Sequence, residues 1–205
     1  MLCFDTIVSD LHLEIGQQYS SYRISTSAPY LLLGGDIGRL VDYNGYLTFL
    51  TALASRYTKV LLTLGNHEFY GLGYELGLDK ARRLSEEPSL SGKVVLLHMR
   101  RWDDPTSNLT IFSCTLWSGI PDRACRIVES RSTTSRRYMN GLCKSIIEST
   151  QRKLPWLPTH HARCVEGASR PEHSNSPSGR LDGVKTSVFG HTHCSTQFER
   201  NGINS

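Results

Sequence analysis

Apolar runs alternate with polar segments in the first third of the chain, and this alternation limits the fold more than any other feature. The runs cover residues 6–8, 30–33 and 59–64, and the last two are continuous and rich in leucine, as in strands buried on both faces. Between them, Asp42 is a predicted helix N-cap. The residues that follow at the spacing of one helical face are Tyr46, Phe49, Leu50, Leu53, Ala54 and Tyr57. Strand, helix and strand in this order indicate a βαβ unit with parallel strands.

The remaining patterns extend the same α/β organisation. They predict a helix over residues 74–85 and strands over residues 93–98, 110–116 and 184–189. Residues 123–152 have weak helical periodicity, and residues 169–183 are rich in Ser, Pro and Gly, which predicts a loop. There is no internal repeat and no composition shift, so we expect one domain over residues 1–205.

Composition argues against a membrane or secreted protein. The chain is 39% hydrophobic and 20% charged, and it lacks the run of about 18 apolar residues that spans a bilayer. The first residues carry no basic region before an apolar core, so no signal peptide is expected. The six cysteines form no C-x-x-C pair and are interpreted as reduced thiols. These features predict a cytoplasmic protein that has no membrane partner.

Net charge gives little information about partners. A charge of +4 and a pI of about 8.8 permit an anionic substrate or weak nucleic-acid contact, but they require neither. The basic residues form no single long run. Nucleic acid is therefore not indicated, and the oligomeric state is not predicted.

Five short segments gather Asp, Asn and His, and they contain six of the eight histidines. The segments are Asp10-Leu11-His12, Gly34-Gly35-Asp36, Gly65-Asn66-His67-Glu68, Thr159-His160-His161 and Gly190-His191-Thr192-His193. Four of them follow predicted strands, and the carboxyl ends of parallel strands meet at one edge of a sheet. Carboxylate, amide and imidazole groups are ligands for divalent metals, and there are enough of them here for two ions.

Each segment alone is weak evidence, since a single buried histidine is more often a core residue than a ligand. Asp10 and His12 are two positions apart, so in extended backbone their side chains point the same way. Gly35 lets the backbone come close beside Asp36. Asn66 offers a neutral amide oxygen to a hard cation, and His67 is then beside the metal rather than necessarily on it. The ordered set, with four of its five segments after predicted strands, makes a chance arrangement improbable.

The chain resembles the calcineurin-like metallophosphoesterase superfamily over about Val8 to His193. The resemblance lies in the ordered set D-x-H, G-D, G-N-H-E, H and G-H-x-H. The stretches 35–38, 65–71 and 115–118 are similar to a small branch of that superfamily with uncharacterised members. The resemblance implies a four-layer α/β/β/α sandwich with two metals at the sheet edge. It also implies a hydrolase that acts on phosphoric ester bonds.

The resemblance further implies a division of labour among the site residues. The first metal would be held by Asp10, His12 and His193. The second would be held by Asn66, His160 and His191, and Asp36 would bridge the two. His67 would bind no metal, but would contact the phosphate and assist the leaving group. Two divalent ions about 3.5–4 Å apart give a hydroxide near neutral pH, which attacks the phosphorus of a phosphomonoester or phosphodiester. The metals implied are Mn, Fe, Zn or Mg.

Two features depart from the family pattern. Pro155 and Pro158 precede the fourth segment, and neither fits a central strand because proline cannot donate to the ladder. His160 is favoured as the ligand, while His161 and an exposed loop that binds no metal stay open. The chain also ends at Ser205, soon after the last segment, so an incomplete second sheet in a truncated or degenerate copy is expected as an alternative.

Two other functions remain alternatives at this point. One is an inactive copy of the fold that serves as a protein-binding scaffold, which the altered fourth segment favours and the intact Asp36 and His67 oppose. The other is a nuclease, suggested by the mild basic charge, although no aromatic and basic stacking surface stands out. The substrate stays open because one fold of this kind hosts many functions.

Overall fold

A parallel sheet of four strands forms the centre of the computed structural model, which describes residues 6–25, 28–105, 110–113, 115, 127, 199–200 and 203–204. The strands are β1 (Thr6–Val8), β2 (Tyr30–Gly34), β3 (Lys59–Thr63) and β4 (Val94–Leu96), paired in that order. The three apolar runs and the run at 93–98 therefore form the predicted strands. All three strand pairings are parallel, as expected for βαβ units.

Two α-helices connect the strands of this sheet. The first helix, α1 (Tyr43–Ala54), joins β2 to β3, and the second, α2 (Tyr74–Ser85), joins β3 to β4. The predicted apolar face of α1 is buried, and α2 has the predicted bounds. Short 3-10 helices lie at Gln18–Ser20, Leu40–Asp42, His67–Phe69 and Pro88–Leu90.

Asp42 stands at the N-cap position of α1, but the prediction that it caps the helix is wrong. Its side chain makes no capping hydrogen bond. Instead, the carboxylate accepts hydrogen bonds from the guanidinium group of Arg39 (3.0–3.2 Å) and from the hydroxyl group of Tyr19 (3.1 Å). Charge-assisted bonds to Arg39 outcompete the backbone donors of the helix, because they are the stronger interaction.

The two faces of the sheet are covered by different elements. Leu31 and Leu33 of β2, with Val60 and Leu62 of β3, point to one face and join the hydrophobic core that α1 and α2 complete. Burial of apolar surface stabilises the folded state by about 25 cal/mol for each Å². The contacts of this face therefore hold the strands in place.

The opposite face packs against an antiparallel pair, β5 (Arg100–Asp103) and β6 (Thr110–Ser113). The hydroxyl group of Tyr30 donates to Asp104 at 3.0 Å, and the Thr63 and Ser113 hydroxyl oxygens lie 2.6 Å apart. Helices, parallel sheet and antiparallel pair are three layers of the predicted α/β/β/α sandwich. The prediction of a fourth layer falls outside the described residues.

The sequence did not predict β5, because a segment that contains Arg100 and Arg101 has no apolar strand pattern. Both side chains are exposed, yet the backbone pairs with β6. A further short pair, β7 (Glu199–Arg200) and β8 (Ile203–Asn204), is antiparallel. The predictions for residues 123–152, 169–183 and 184–189 fall outside the described residues. Within the described part of the chain, no helix has the length and apolar character needed to cross a membrane.

Candidate functional site

The polar loops after β1 and β2 are joined by backbone hydrogen bonds. The N–H groups of Asp10 and His12 donate to the carbonyl oxygens of Gly35 and Asp36, both at 3.0 Å. Leu13 N–H donates to the carbonyl oxygen of Ile37 at 2.9 Å. Because β1 and β2 are parallel neighbours, both loops leave the sheet at the same edge, and these bonds hold them side by side.

Asp10 and His12 have a different backbone from the predicted one. Each was expected to be extended, but their φ angles are 55° and 49°, in the left-handed region, and Asp36 has a φ of 53°. The left-handed conformation costs a non-glycine residue about 1–2 kcal/mol. The hydrogen bonds between the two loops stabilise these turns, and strained backbone of this kind concentrates at functional sites.

The loop after β3 completes the edge and reaches Asp36 directly. His67 N–H donates to Asp36 Oδ1 at 2.8 Å. Gly35 and Gly65 make this approach feasible, since a Cβ on Gly35 would lie 2.8 Å from Gly65 N. A Cβ on Gly65 would overlap Asp36 Oδ1 and lie 2.6 Å from Asp36 N. Glycine at both positions lets Asp36 and the third loop come into contact.

Glu68 ties these loops together from inside the protein, a role that the sequence did not predict. Its side chain is fully buried, and its carboxylate accepts five hydrogen bonds. The donors are the N–H groups of Asp36 (3.0 Å), Ile37 (2.8 Å), Gly38 (3.4 Å) and Gly65 (2.7 Å) and the hydroxyl group of Tyr46 (3.1 Å). Burial, together with the charge of Asp36, raises the pKa of Glu68, while the backbone donors oppose the rise.

His67 is paired with Glu14, another residue that the sequence did not single out. Glu14 Oε1 lies 2.7 Å from His67 Nδ1 and 3.5 Å from His12 Nδ1. Burial of the His67 ring lowers its pKa, but the Glu14 hydrogen bond and the charges of Asp36, Glu14 and Glu68 outweigh burial and raise it. The pKa of Glu14 is lowered, since the contacts with His67 and His12 outweigh the effect of burial. A signal was present in the sequence, because Glu14 follows His12 by two positions.

Tyr70 packs against two of the predicted site residues. Its hydroxyl group accepts a hydrogen bond from Asn66 Nδ2 at 2.8 Å, and its ring centroid lies 4.3 Å from that of His67. Since the amide nitrogen of Asn66 donates to Tyr70, Oδ1 is the atom of this side chain that can serve as a cation ligand. Asp36 and Asn66 are both buried, with 3% and 8% of their surface exposed.

The donor atoms at this edge suit a divalent cation. Ligand atoms of His12, Glu14 and His67 lie within 4.8 Å of one another. Glu14 Oε2 is buried and has no hydrogen-bond partner within the described part of the chain. A buried carboxylate oxygen without a partner is costly, and a positive ion nearby removes that cost. This cluster shares only His12 with the predicted ligand set.

The structure thus brings five of the predicted site residues to one sheet edge: Asp10, His12, Asp36, Asn66 and His67. Their placement follows from the three parallel strands and the short polar loops after them. The other three predicted ligands, His160, His191 and His193, lie outside the described residues, as does His161.

Comparison with known proteins gives the family. The model of the calcineurin-like phosphoesterase family matches residues 6–195. A phosphopantetheinyl hydrolase from Mycobacterium tuberculosis has a similar fold, with a TM-score of 0.59 and 19% identity over 97% of this chain and 86% of that one. A comparison with curated protein sequences gave no significant match. The family match confirms the resemblance seen in the sequence: the chain belongs to the calcineurin-like phosphoesterase family and is a hydrolase acting on phosphoric ester bonds.

Proposed function

We propose that this protein hydrolyses a phosphomonoester or a phosphodiester at the carboxyl edge of its parallel sheet, with two divalent metal ions bound there. The observation that carries the proposal is the hydrogen bond from His67 N to Asp36 Oδ1 at 2.8 Å. It ties the main chain of the loop that carries His67 to the carboxylate at the end of the neighbouring strand, so two of the polar segments meet at one point of the sheet edge. The family match to residues 6–195 also supports one domain over residues 1–205.

The proposed ligands are those that the family resemblance implies. One ion would be held by Asp10, His12 and His193, and the other by Asn66, His160 and His191. Asp36 would be a ligand shared by the two. Support comes from the buried Asp36 and Asn66 and from the nitrogen and oxygen donors that converge beside them. Ions bound by such ligands activate a water molecule and neutralise charge on the phosphate. The ligand set accepts Mn, Fe, Zn or Mg.

The side chains around the site then orient the proposed metal ligands and donate a proton to the leaving group. Asp36 is oriented by its bond from His67 N, and Asn66 by its bond to Tyr70. His67, whose pKa is raised, stays protonated to a higher pH than an ordinary histidine. In this state it donates a proton to the departing oxygen while the P–O bond breaks.

Metal removal tests the proposal most simply. We expect 4-nitrophenyl phosphate or bis(4-nitrophenyl) phosphate to be hydrolysed with Mn²⁺, Mg²⁺ or Zn²⁺, and hydrolysis to stop with a chelator and return when metal is added back. Asp36→Asn should lose this activity, because the bridging carboxylate becomes an amide. Asp79→Asn is the matched control, since Asp79 is exposed on α2 and, within the described part of the chain, its carboxylate pairs with Arg82.

One outcome would refute the enzyme function. If folded wild-type protein that carries two metals turns over neither ester, a role as a protein-binding scaffold becomes the better account of the fold.

A further inference from the structure

We propose that Glu14 is the positioning residue of His67: its carboxylate holds the imidazole so that Nε2 meets the leaving oxygen of the substrate. This inference rests on the proposed function, in which His67 donates the proton. It assigns Glu14 a task in the reaction although Glu14 contacts neither the phosphate nor the departing group.

The hydrogen bond between the two side chains is the first support. Glu14 Oε1 lies 2.7 Å from His67 Nδ1, within the short range of charge-assisted bonds. His12 Nδ1 lies farther from the same nitrogen, at 3.1 Å. Nδ1 of His67 can carry one proton, and in this inference it donates that proton in a hydrogen bond to the carboxylate, which is the closer acceptor. Nε2 is then the ring nitrogen that remains for the substrate.

Two further contacts limit rotation of the His67 ring. The Tyr70 ring lies 4.3 Å away at an angle of 34°, and the His12 ring lies 4.2 Å away at 63°. With Nδ1 bound by Glu14 and the rings of Tyr70 and His12 close by, rotation of the His67 ring is restricted. Such restriction matters because a proton donor must lie within hydrogen-bond reach of the oxygen it protonates.

Burial makes the Glu14 bond effective. The side chain of Glu14 is only 9% exposed and that of His67 19%, so water competes weakly for either partner. A hydrogen bond that is shielded from water holds its geometry better than an exposed one. Glu14 begins the turn after Leu13, whose side chain is fully buried, and this anchors the carboxylate from its own backbone.

His67 gives up the proton on Nε2 during the reaction and keeps the proton on Nδ1. The Nε2–H bond of protonated His67 breaks and an O–H bond forms on the leaving oxygen. The P–O bond to that oxygen breaks as a new P–O bond forms to the oxygen of the attacking water, which loses a proton to solvent. His67 is then neutral, with its Nδ1 proton still bonded to Glu14, and solvent restores the proton at Nε2. Glu14 accepts a hydrogen bond throughout and transfers no proton.

The experiment compares Glu14→Ala, His67→Ala and the double variant on two monoesters. A simple alkyl phosphate needs a proton on its leaving oxygen, whereas 4-nitrophenolate leaves without one. For Glu14→Ala, we expect kcat on the alkyl ester to fall about tenfold to 100-fold, part of the contribution of a general acid. At saturating metal, the kcat on the nitrophenyl ester and both KM values should change less than about threefold, because a positioning role acts only through the proton transfer. The loss of metal affinity, measured by titration calorimetry, should stay well below that of His12→Ala.

Two comparisons separate positioning from general damage. The double variant should be no slower than His67→Ala alone, since Glu14 acts through His67. Glu14→Gln keeps an oxygen that can accept from Nδ1 and should recover part of the lost kcat. Glu75→Ala, which removes an exposed carboxylate from the first turn of α2, is the matched control and should match wild type.

A measurement without substrate tests the inference independently of activity. Nitrogen-15 spectra of the imidazole groups should show His67 protonated at Nδ1 in the wild type, with that signal altered in Glu14→Ala. An unaltered signal would overturn the inference, and so would a loss of metal affinity as large as that of His12→Ala, which would make Glu14 a ligand. If instead the wild type shows no metal-dependent turnover but the Nδ1 signal responds to Glu14→Ala, the proposed function fails while the His67–Glu14 contact stands.

Discussion

Replacing His67 by alanine should lower kcat for a simple alkyl phosphate by about 100-fold or more, the usual contribution of a positioned general acid. The alkoxide that leaves such an ester is a strong base and needs the proton that His67 supplies. The surroundings of His67 favour the protonated ring, because Glu14 bonds to Nδ1 at 2.7 Å and Asp36 and Glu68 add negative charge nearby. Steady-state kinetics on purified wild type and variant measure the effect.

The internal control is 4-nitrophenyl phosphate, whose leaving group needs no proton. On this ester His67→Ala should lose much less activity, and the metal content of the variant should equal that of the wild type. An equal loss on both esters, together with lost metal, would instead make His67 a ligand and contradict the assigned role.

Replacing Glu68 by alanine should lower the free energy of unfolding by about 3 kcal/mol or more, because each buried donor left without a partner costs about 1–3 kcal/mol. Four backbone N–H groups and the hydroxyl group of Tyr46 lose their acceptor at once. Relief of the repulsion between Glu68 and Asp36 offsets a small part of this loss. Denaturation with urea, followed by circular dichroism, gives the difference directly.

Two variants make this result specific. Glu86→Ala removes an exposed carboxylate just after α2 and should change the free energy of unfolding by less than about 0.5 kcal/mol. Glu68→Gln keeps the shape and one acceptor oxygen but turns an N–H₂ group toward backbone donors, so it should fall between wild type and Glu68→Ala. A Glu68→Ala protein as stable as Glu86→Ala would show that the loops do not depend on this carboxylate.

The sequence predicted the strands well because their signal is local. A short apolar run followed by a glycine, such as residues 59–64, is typical of a strand buried on both faces, and the helix face that begins at Tyr46 repeats at a fixed spacing. The placement of Asp10, Asp36 and Asn66 at one edge follows from parallel pairing alone. The strand β5 was not predicted, because a strand with exposed Arg100 and Arg101 has no apolar pattern in the sequence.

The supports of the site depend on contacts between distant positions, which a single sequence does not reveal. Glu14 and His67 are 53 residues apart, and Glu68 and Ile37 are 31 apart. The left-handed backbone of Asp10 and His12 likewise depends on hydrogen bonds to the loop after β2. Local spacing suggested extended backbone there, whereas the tertiary hydrogen bonds required a turn.

The number of metal ions bound to each chain tests the central claim most directly. Titration of metal-free protein with Mn²⁺, followed by calorimetry and checked by elemental analysis, should give two ions per chain for the wild type, as expected for a binuclear site. Asp36→Asn, which weakens the bridging ligand, should bind both ions more weakly, while Asp79→Asn should match the wild type. Binding of no ion, or of a single ion whose affinity is unaffected by Asp36→Asn, would contradict a binuclear centre at this sheet edge.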